Sequence, residues 1–275
     1  MAHFNKFIAF IDKNNDIPFL VKKRVFDACL LSAFLYGCES WLNGDLKPLC
    51  KIYNWSLKRL RDVRLTTCND VCYIESGYSS LRAIVKDRQR RFFIKMYNER
   101  FHLLDDPLGI VLKLVLNNRY NTRTYVQDLI NDSDIDDIQC DIQLLKNNIS
   151  SSDSSRRVTY ANIMNPSLSI HDIYTRRCHI YESHRVAFTR FRVSSHSLAV
   201  ETGRWNRRGR GRLPMEERLC SCGGIQTEVH VVSQCPLSQN LRDEYEFTCI
   251  TDLMSGRFED EVLCKILYRV LRLYD

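Results

Sequence analysis

The stretch DLKPLCKIYNWSLKRLRDV, Asp45 to Val63, decides how the rest of the chain is read. Its apolar residues Leu46, Leu49, Tyr53, Leu57 and Leu60 fall three or four apart, the spacing that gathers side chains on one face of a 3.6-residue turn. An amphipathic helix follows from that pattern. Ser79 to Leu104 repeats it with Leu81, Val85, Phe92, Met96 and Leu103. Asp16 ahead of Ile17-Pro18 marks an earlier helix start, with a capping carboxylate followed by a proline whose missing N–H costs nothing in a first turn. Asn69-Asp70 after Thr66-Thr67 reads as another cap. Further helices are expected from Leu108 to Asn117, Ser169 to Phe191, Pro236 to Phe247 and Glu259 to Leu273. Strand-like alternation is scarce and glycine and proline together number sixteen, so the expected fold class is mainly α.

With 275 residues, 44% of them apolar, the chain can bury a sizeable core and is expected to hold two domains. The best candidate for a membrane span, ACLLSAFLY from Ala28 to Tyr36, is far too short to cross a bilayer, so no membrane partner is expected. The opening MAHFNKFIAFIDKNND has an early Asp and no small-residue cleavage site. These features predict an intracellular protein of the nucleus or cytoplasm. In a reducing compartment the isolated cysteines act as small apolar residues, and only those between 220 and 235 have ligand spacing.

Charge is distributed unevenly. From Arg176 to Arg218 there are eleven arginines, no lysine and four acids, an excess equal to the formal +7 of the whole chain. Upstream, Asp128 to Asp141 (DLINDSDIDDIQCD) holds six aspartates and no basic residue, and the serine-rich SSSDSS follows at Ser150 to Ser155. This composition predicts an acidic, serine-rich linker with short helices over 119–160, between two larger units.

RLCSCGGIQTEVHVVSQCP, Arg218 to Pro236, places Cys220, Cys222, His230 and Cys235 in a C-x-C-x7-H-x4-C arrangement. Zinc takes four thiolate or imidazole ligands in a tetrahedron, usually as two pairs joined by a turn. Gly223-Gly224 suits that turn, a short helix can aim His230 and Cys235 inward, and Pro236 can start the next helix. One structural zinc is the expected cofactor. The alternative is two exposed thiols near a surface histidine. The turn and helix look small enough to bury little apolar surface, so the metal is expected to supply much of the module's folding energy.

Five pieces in order, YGCESW (Tyr36 to Trp41), YNWSLKRLRDVRLTTCNDVCYIESGYSSL (Tyr53 to Leu81), RQRRF (Arg88 to Phe92), FRVSSHSLAVETGRW (Phe191 to Trp205) and the Cys/Cys/His/Cys group before CPLSQNLR, resemble the carboxy-terminal part of a non-LTR (LINE-type) retrotransposon reverse transcriptase. The resemblance implies a helical thumb-like domain over 10–118. It implies a basic helical region over 161–275 that carries a zinc knuckle at 218–236 and C-terminal helices. RNA or DNA would be the partner, with the rest of a retrotransposon ribonucleoprotein, and no small-molecule substrate. The C-x-C start departs from the retroviral knuckle, which has two residues between its cysteines.

Reverse transcription needs palm carboxylates that hold two metal ions, one of them in an aromatic-x-Asp-Asp hairpin. Asp105-Asp106 lacks the aromatic, runs out of a helix and meets Pro107, so it reads as a helix end; Asp136-Asp137 lies in the acidic segment. Glu259, Asp260 and Glu261 read as a charged helix start. No catalytic residue is therefore expected in this chain, which is read as a fragment of an element without its palm.

Arg207, Arg208, Arg210 and Arg212 alternate with glycines, cannot form a core and suit phosphate oxygens. Lys58, Arg59, Arg61 and Arg64 beside Trp55, and Arg88, Arg90, Arg91 and Lys95 on the following helix, either grip a nucleic-acid backbone or form a solvated face. Tyr36, Glu39 and Trp41 read as packing residues, and His171, His179, His184 and His196 as helix-surface or packing residues. The expected function is nucleic-acid binding. The alternative is a host-adopted, zinc-stabilised protein-interaction module.

Overall fold

The computed structural model describes residues 2–42, 44–117, 121–176, 179–205 and 211–275, and it is mainly α-helical. Helix α1 (Ala2–Lys13) leads to α2 (Phe19–Val25), which continues through a π-helical turn, Phe26–Leu31. The start expected at Asp16 comes three residues later, with Pro18 in the cap position. Helix α3 (Lys47–Arg61) buries Tyr53, Leu57 and Leu60 as the period requires and ends where Asp62 turns left-handed at φ 55°. Helix α4 (Asn69–Ser76) has Cys68, rather than Asn69 or Asp70, in its N-cap position, with no side-chain capping bond. It stops at Gly77, whose φ of +64° disfavours a side chain and where a Cβ would come within 2.7 Å of Ile170 Cδ1.

Helix α5 (Leu81–Arg100) begins under the Ser80 hydroxyl, which accepts the Ala83 amide at 3.3 Å. Two shorter helices follow, α6 (Pro107–Asn117) and α7 (Asn121–Asn131). With α5 they close a satellite core of Phe93, Met96, Leu112, Val126 and Leu129. The acidic segment is not bare chain. It forms α7 and α8 (Asp137–Ser150), and α8 packs on α4 and α5. The Asp141 carboxylate takes the Ser80 amide and hydroxyl at 2.8 Å each, and buried Asp137 pairs with Arg90 at 2.7 Å.

The helix expected from Ser169 to Phe191 is divided. A 3-10 turn, Asp172–Tyr174, is capped by the His171 ring, and α9 begins only at Glu182 (Glu182–Arg192). Ile173 and Tyr174 are both buried, so the turn that seats them in the core replaces a straight helix. Helix α10 (Gln239–Tyr245) and helix α11 (Asp260–Arg272) complete the chain, and α11 lies along α9. Asp260 and Glu261 occupy the first turn of α11, where carboxylates favour the helix dipole.

One apolar core draws on both sides of the serine-rich segment, from Phe7, Phe26 and Tyr53 to Phe188, Val231 and Val270. Charges are buried within it. Glu75 receives Arg192, while Glu182 receives Lys22 at 2.8 Å and Arg185 at 2.7 Å. Among the described residues no helix is long and apolar enough to cross a membrane.

Candidate metal centre

The four predicted ligands converge. Sγ of Cys220 and Sγ of Cys235 are 3.7 Å apart, Cys235 and Cys222 are 3.6 Å apart, and Cys222 Sγ lies 3.2 Å from His230 Nε2. All four ligand atoms fall within 4.8 Å of one another. Sulfurs held about 2.3 Å from a central ion at tetrahedral angles sit about 3.7 to 3.8 Å apart. The separations therefore suit a shared ion and are far too long for a disulfide. The group can hold a metal ion.

Local backbone chemistry makes this arrangement. Leu219 and Ile225 form an antiparallel bridge, and Cys220 N donates to Gly224 O at 2.7 Å, so the first two cysteines ride a tight hairpin. A side chain at Gly224 would displace the imidazole from the cluster, because a Cβ there would meet His230 Cε1 at 2.6 Å. The Thr227 hydroxyl accepts the His230 amide at 3.0 Å and starts the opposite side. His230–Gln234 is then a π-helical turn in which the Cys235 amide reaches His230 O at 2.8 Å. A bond across five residues is what brings two ligands five apart to the same side. The Arg242 guanidinium, donating to Cys235 O at 2.8 Å and Val232 O at 3.0 Å, clamps the turn from α10.

Burial is graded across the group. Cys220 and Cys235 are buried and Cys222 is exposed, which leaves that edge accessible to solvent. Burial pushes the Cys220 thiol up, but the Cys222 amide and the side chains of His230, Cys222 and Cys235 outweigh it and bring the thiol down to about 7. Burial holds the Cys235 thiol above its ordinary value. A thiol that ionises near neutrality readily gives the thiolate, the form that binds a metal. One expectation is corrected. Val231 and Val232, between His230 and Cys235, are fully buried in the main core, so this side of the module does not bury little apolar surface.

A second cluster next to it left no trace in residue spacing. Buried His196 meets Glu228 at 3.0 Å through Nε2, and Glu228 also accepts the Ser194 hydroxyl at 2.9 Å. Burial alone would raise the Glu228 carboxyl; His196 above all, with Ser194, brings it down to about 2. The cluster ties the loop after α9 to the metal hairpin. His196 is therefore a core residue, not a helix-surface one.

Among the described residues, the arginines expected to meet nucleic acid are scattered. Arg207, Arg208 and Arg210 lie outside the described residues, whereas Arg212 is described and exposed. Arg59 is half-buried and pairs with Asp12, Arg91 is exposed and pairs with Asp87, and Arg88 stands 4.0 Å from Glu39. Arg61 is a correction. It is 1% exposed, lies 3.7 Å over the Tyr174 ring and 4.4 Å over Phe19, and donates to Glu75 O at 2.6 Å. Such a guanidinium belongs to the core and touches no phosphate. Lys58 and Arg90 are buried too, Lys58 donating to Leu65 O at 2.8 Å.

Arg59 lines a cavity of about 870 Å³ between α1, α3, α9 and α11, whose walls carry as many acids as bases and so offer no preference for anions. Arg88, Arg91 and Lys95 line a different depression. Both Asp-Asp pairs serve helices. Asp106 accepts the Gly109 amide at 2.8 Å at the start of α6, and Asp136 accepts the Gln139 amide at 2.9 Å at the start of α8.

Comparison of the chain with protein-family models, curated proteins and solved structures found no match.

Proposed function

We propose that the chain is a nucleic-acid-binding, carboxy-terminal portion of a non-LTR retrotransposon reverse transcriptase, without catalytic residues of its own, held in shape by one structural zinc. The observation that carries this reading is the convergence of Cys220, Cys222, His230 and Cys235 to within 4.8 Å, at the place where the resemblance requires a knuckle. Four protein ligands fill a tetrahedron and leave no position for water or substrate, so the ion holds structure and does no chemistry. Arginine supplies the recognition. Of the eleven between Arg176 and Arg218, Arg185, Arg192 and Arg218 are buried, and the run ending at Arg212 adjoins the cysteine hairpin in the sequence. A planar fork of donors matches phosphate oxygens.

The test is binding of labelled RNA and DNA over a series of salt concentrations. Neutralised phosphates release counterions, so affinity should fall linearly on a log–log plot, with a slope of about 0.7 to 0.9 per contact. Absence of binding, or binding indifferent to salt, would overturn the reading. One observation favours the alternative, a protein-interaction module: α6 exposes Leu108, Ile110, Val111 and Leu114 on an almost uncharged helix.

A further inference from the structure

Arg64 follows the left-handed turn that ends α3, and its backbone amide is held by the Ser195 hydroxyl at 2.8 Å. Its guanidinium makes no ion pair or hydrogen bond among the described residues, although Arg59, Arg61 and Arg190 all have partners. Burial first, then the positive charges of Arg190 and Arg156, lower its pKa in spite of Glu201. An anion beside Arg64 would relieve that repulsion.

The space beside it is shaped for more than an anion. Arg64, Leu65, Thr66, Thr202 and Trp205 line a shallow groove of about 500 Å³, and Leu65 is 51% exposed. The Trp205 indole is half-buried, with the Arg156 guanidinium 5.7 Å from the ring centroid. Arg156 is itself fixed by Glu201, which also takes Arg204 at 2.9 Å, so the indole is braced. The chain returns beside this groove, because Leu213 N donates to Gly203 O at 2.9 Å.

We propose that this groove is a single-strand nucleotide site, in which an unpaired base stacks on Trp205 and the adjoining phosphate meets Arg64. The inference rests on the nucleic-acid reading above and adds the kind of nucleic acid. A flat aromatic ring beside an unpaired cation is how sequence-tolerant single-strand sites are built, and a duplex keeps its base faces stacked away from such a ring.

The experiment measures anisotropy of labelled oligothymidylate and of a blunt DNA duplex with the full chain. Trp205→Leu should weaken oligothymidylate binding by about 5- to 100-fold, the range of one base–aromatic stack, and change duplex binding by less than about twofold. Trp205→Phe should retain most of the affinity, which separates loss of stacking from loss of fold. Arg64→Gln should flatten the single-strand salt slope by about 0.7. Trp205→Leu acting equally on both probes, or on neither, overturns the single-strand site while leaving nucleic-acid binding intact. Wild-type chain that binds neither probe overturns both readings.

Discussion

Arg192 on α9 and Glu75 on α4 face each other through two hydrogen bonds, Nε to Oε1 at 2.7 Å and Nη2 to Oε2 at 3.2 Å, although 117 residues separate them. Tyr160 donates to the same carboxylate at 2.7 Å, and Arg61 reaches the carbonyl of Glu75. The helices on either side of the serine-rich segment are thus joined by a charge cluster inside their common core. Burial would raise the Glu75 carboxyl, but Arg192 outweighs it and holds the pKa below the ordinary value of 4.5.

Removing one partner of such a pair strands the other. Glu75→Gln should cost about 3 to 5 kcal/mol in urea unfolding at neutral pH, and the double change Glu75→Leu with Arg192→Met should cost less than either single one. A folded-state pKa below the unfolded one gives stability that is present above pH 4.5 and is lost as acid takes the pH through the lower, folded value. The gap between wild type and Glu75→Gln should therefore narrow in that acid range. A gap that stays constant with pH would mean that Glu75 is not held ionised.

Helix existence was legible in the residues because burial imposes a period, as at Leu49, Tyr53, Leu57 and Leu60 in α3 and along α11. The four residues that can hold a metal ion were legible from type and spacing. Period does not report which cations are covered: Lys58, Arg59 and Arg61 lie within one turn, yet the first and third are buried and the middle one is only half-buried. Contacts between distant segments decide that, since Phe19 and Tyr174 enclose Arg61. The same holds for His196 and Glu228, 32 residues apart, which no local pattern connects.

Arg61 and Arg59 should behave oppositely. Arg61 combines two cation–π contacts with a charged hydrogen bond, so Arg61→Gln should lower stability by about 2 to 4 kcal/mol. Arg59→Gln breaks an exposed pair and should cost no more than about 1 kcal/mol. Denaturant midpoints check both. Equal, small losses would remove Arg61 from the core account.

Asp106 and its neighbour offer a second contrast. The Asp106 carboxylate caps α6 through the Gly109 amide and pairs with Arg100 at 3.0 Å. Asp106→Ala should destabilise the fold by about 1 kcal/mol. Asp105→Ala, which touches no cap, should stay within about 0.5 kcal/mol. Equal effects of the two substitutions on thermal unfolding would contradict the capping role.

The metal prediction follows from where the four ligands sit. Native mass spectrometry of freshly reduced protein should show one zinc per chain, lost in both Cys222→Ala and His230→Ala. Thiolates and neutral imidazole bind the ion, so acid or a chelator should release it. The consequence is limited by packing. Val231 and Val232 are anchored in the main core, and Arg242 clamps the turn through two carbonyls, so most of the helical circular dichroism should survive metal removal. The hairpin is different. From Leu219 to Gln226 it exposes most of its side chains and is joined by a single bridge, so without the ion it should become the first site of proteolytic cleavage and the melting temperature should fall. A zinc count unchanged in both variants, or no zinc in protein prepared with it, would refute the centre. Complete loss of helicity on chelation would show instead that the ion, not the valine pair, holds this end of the core.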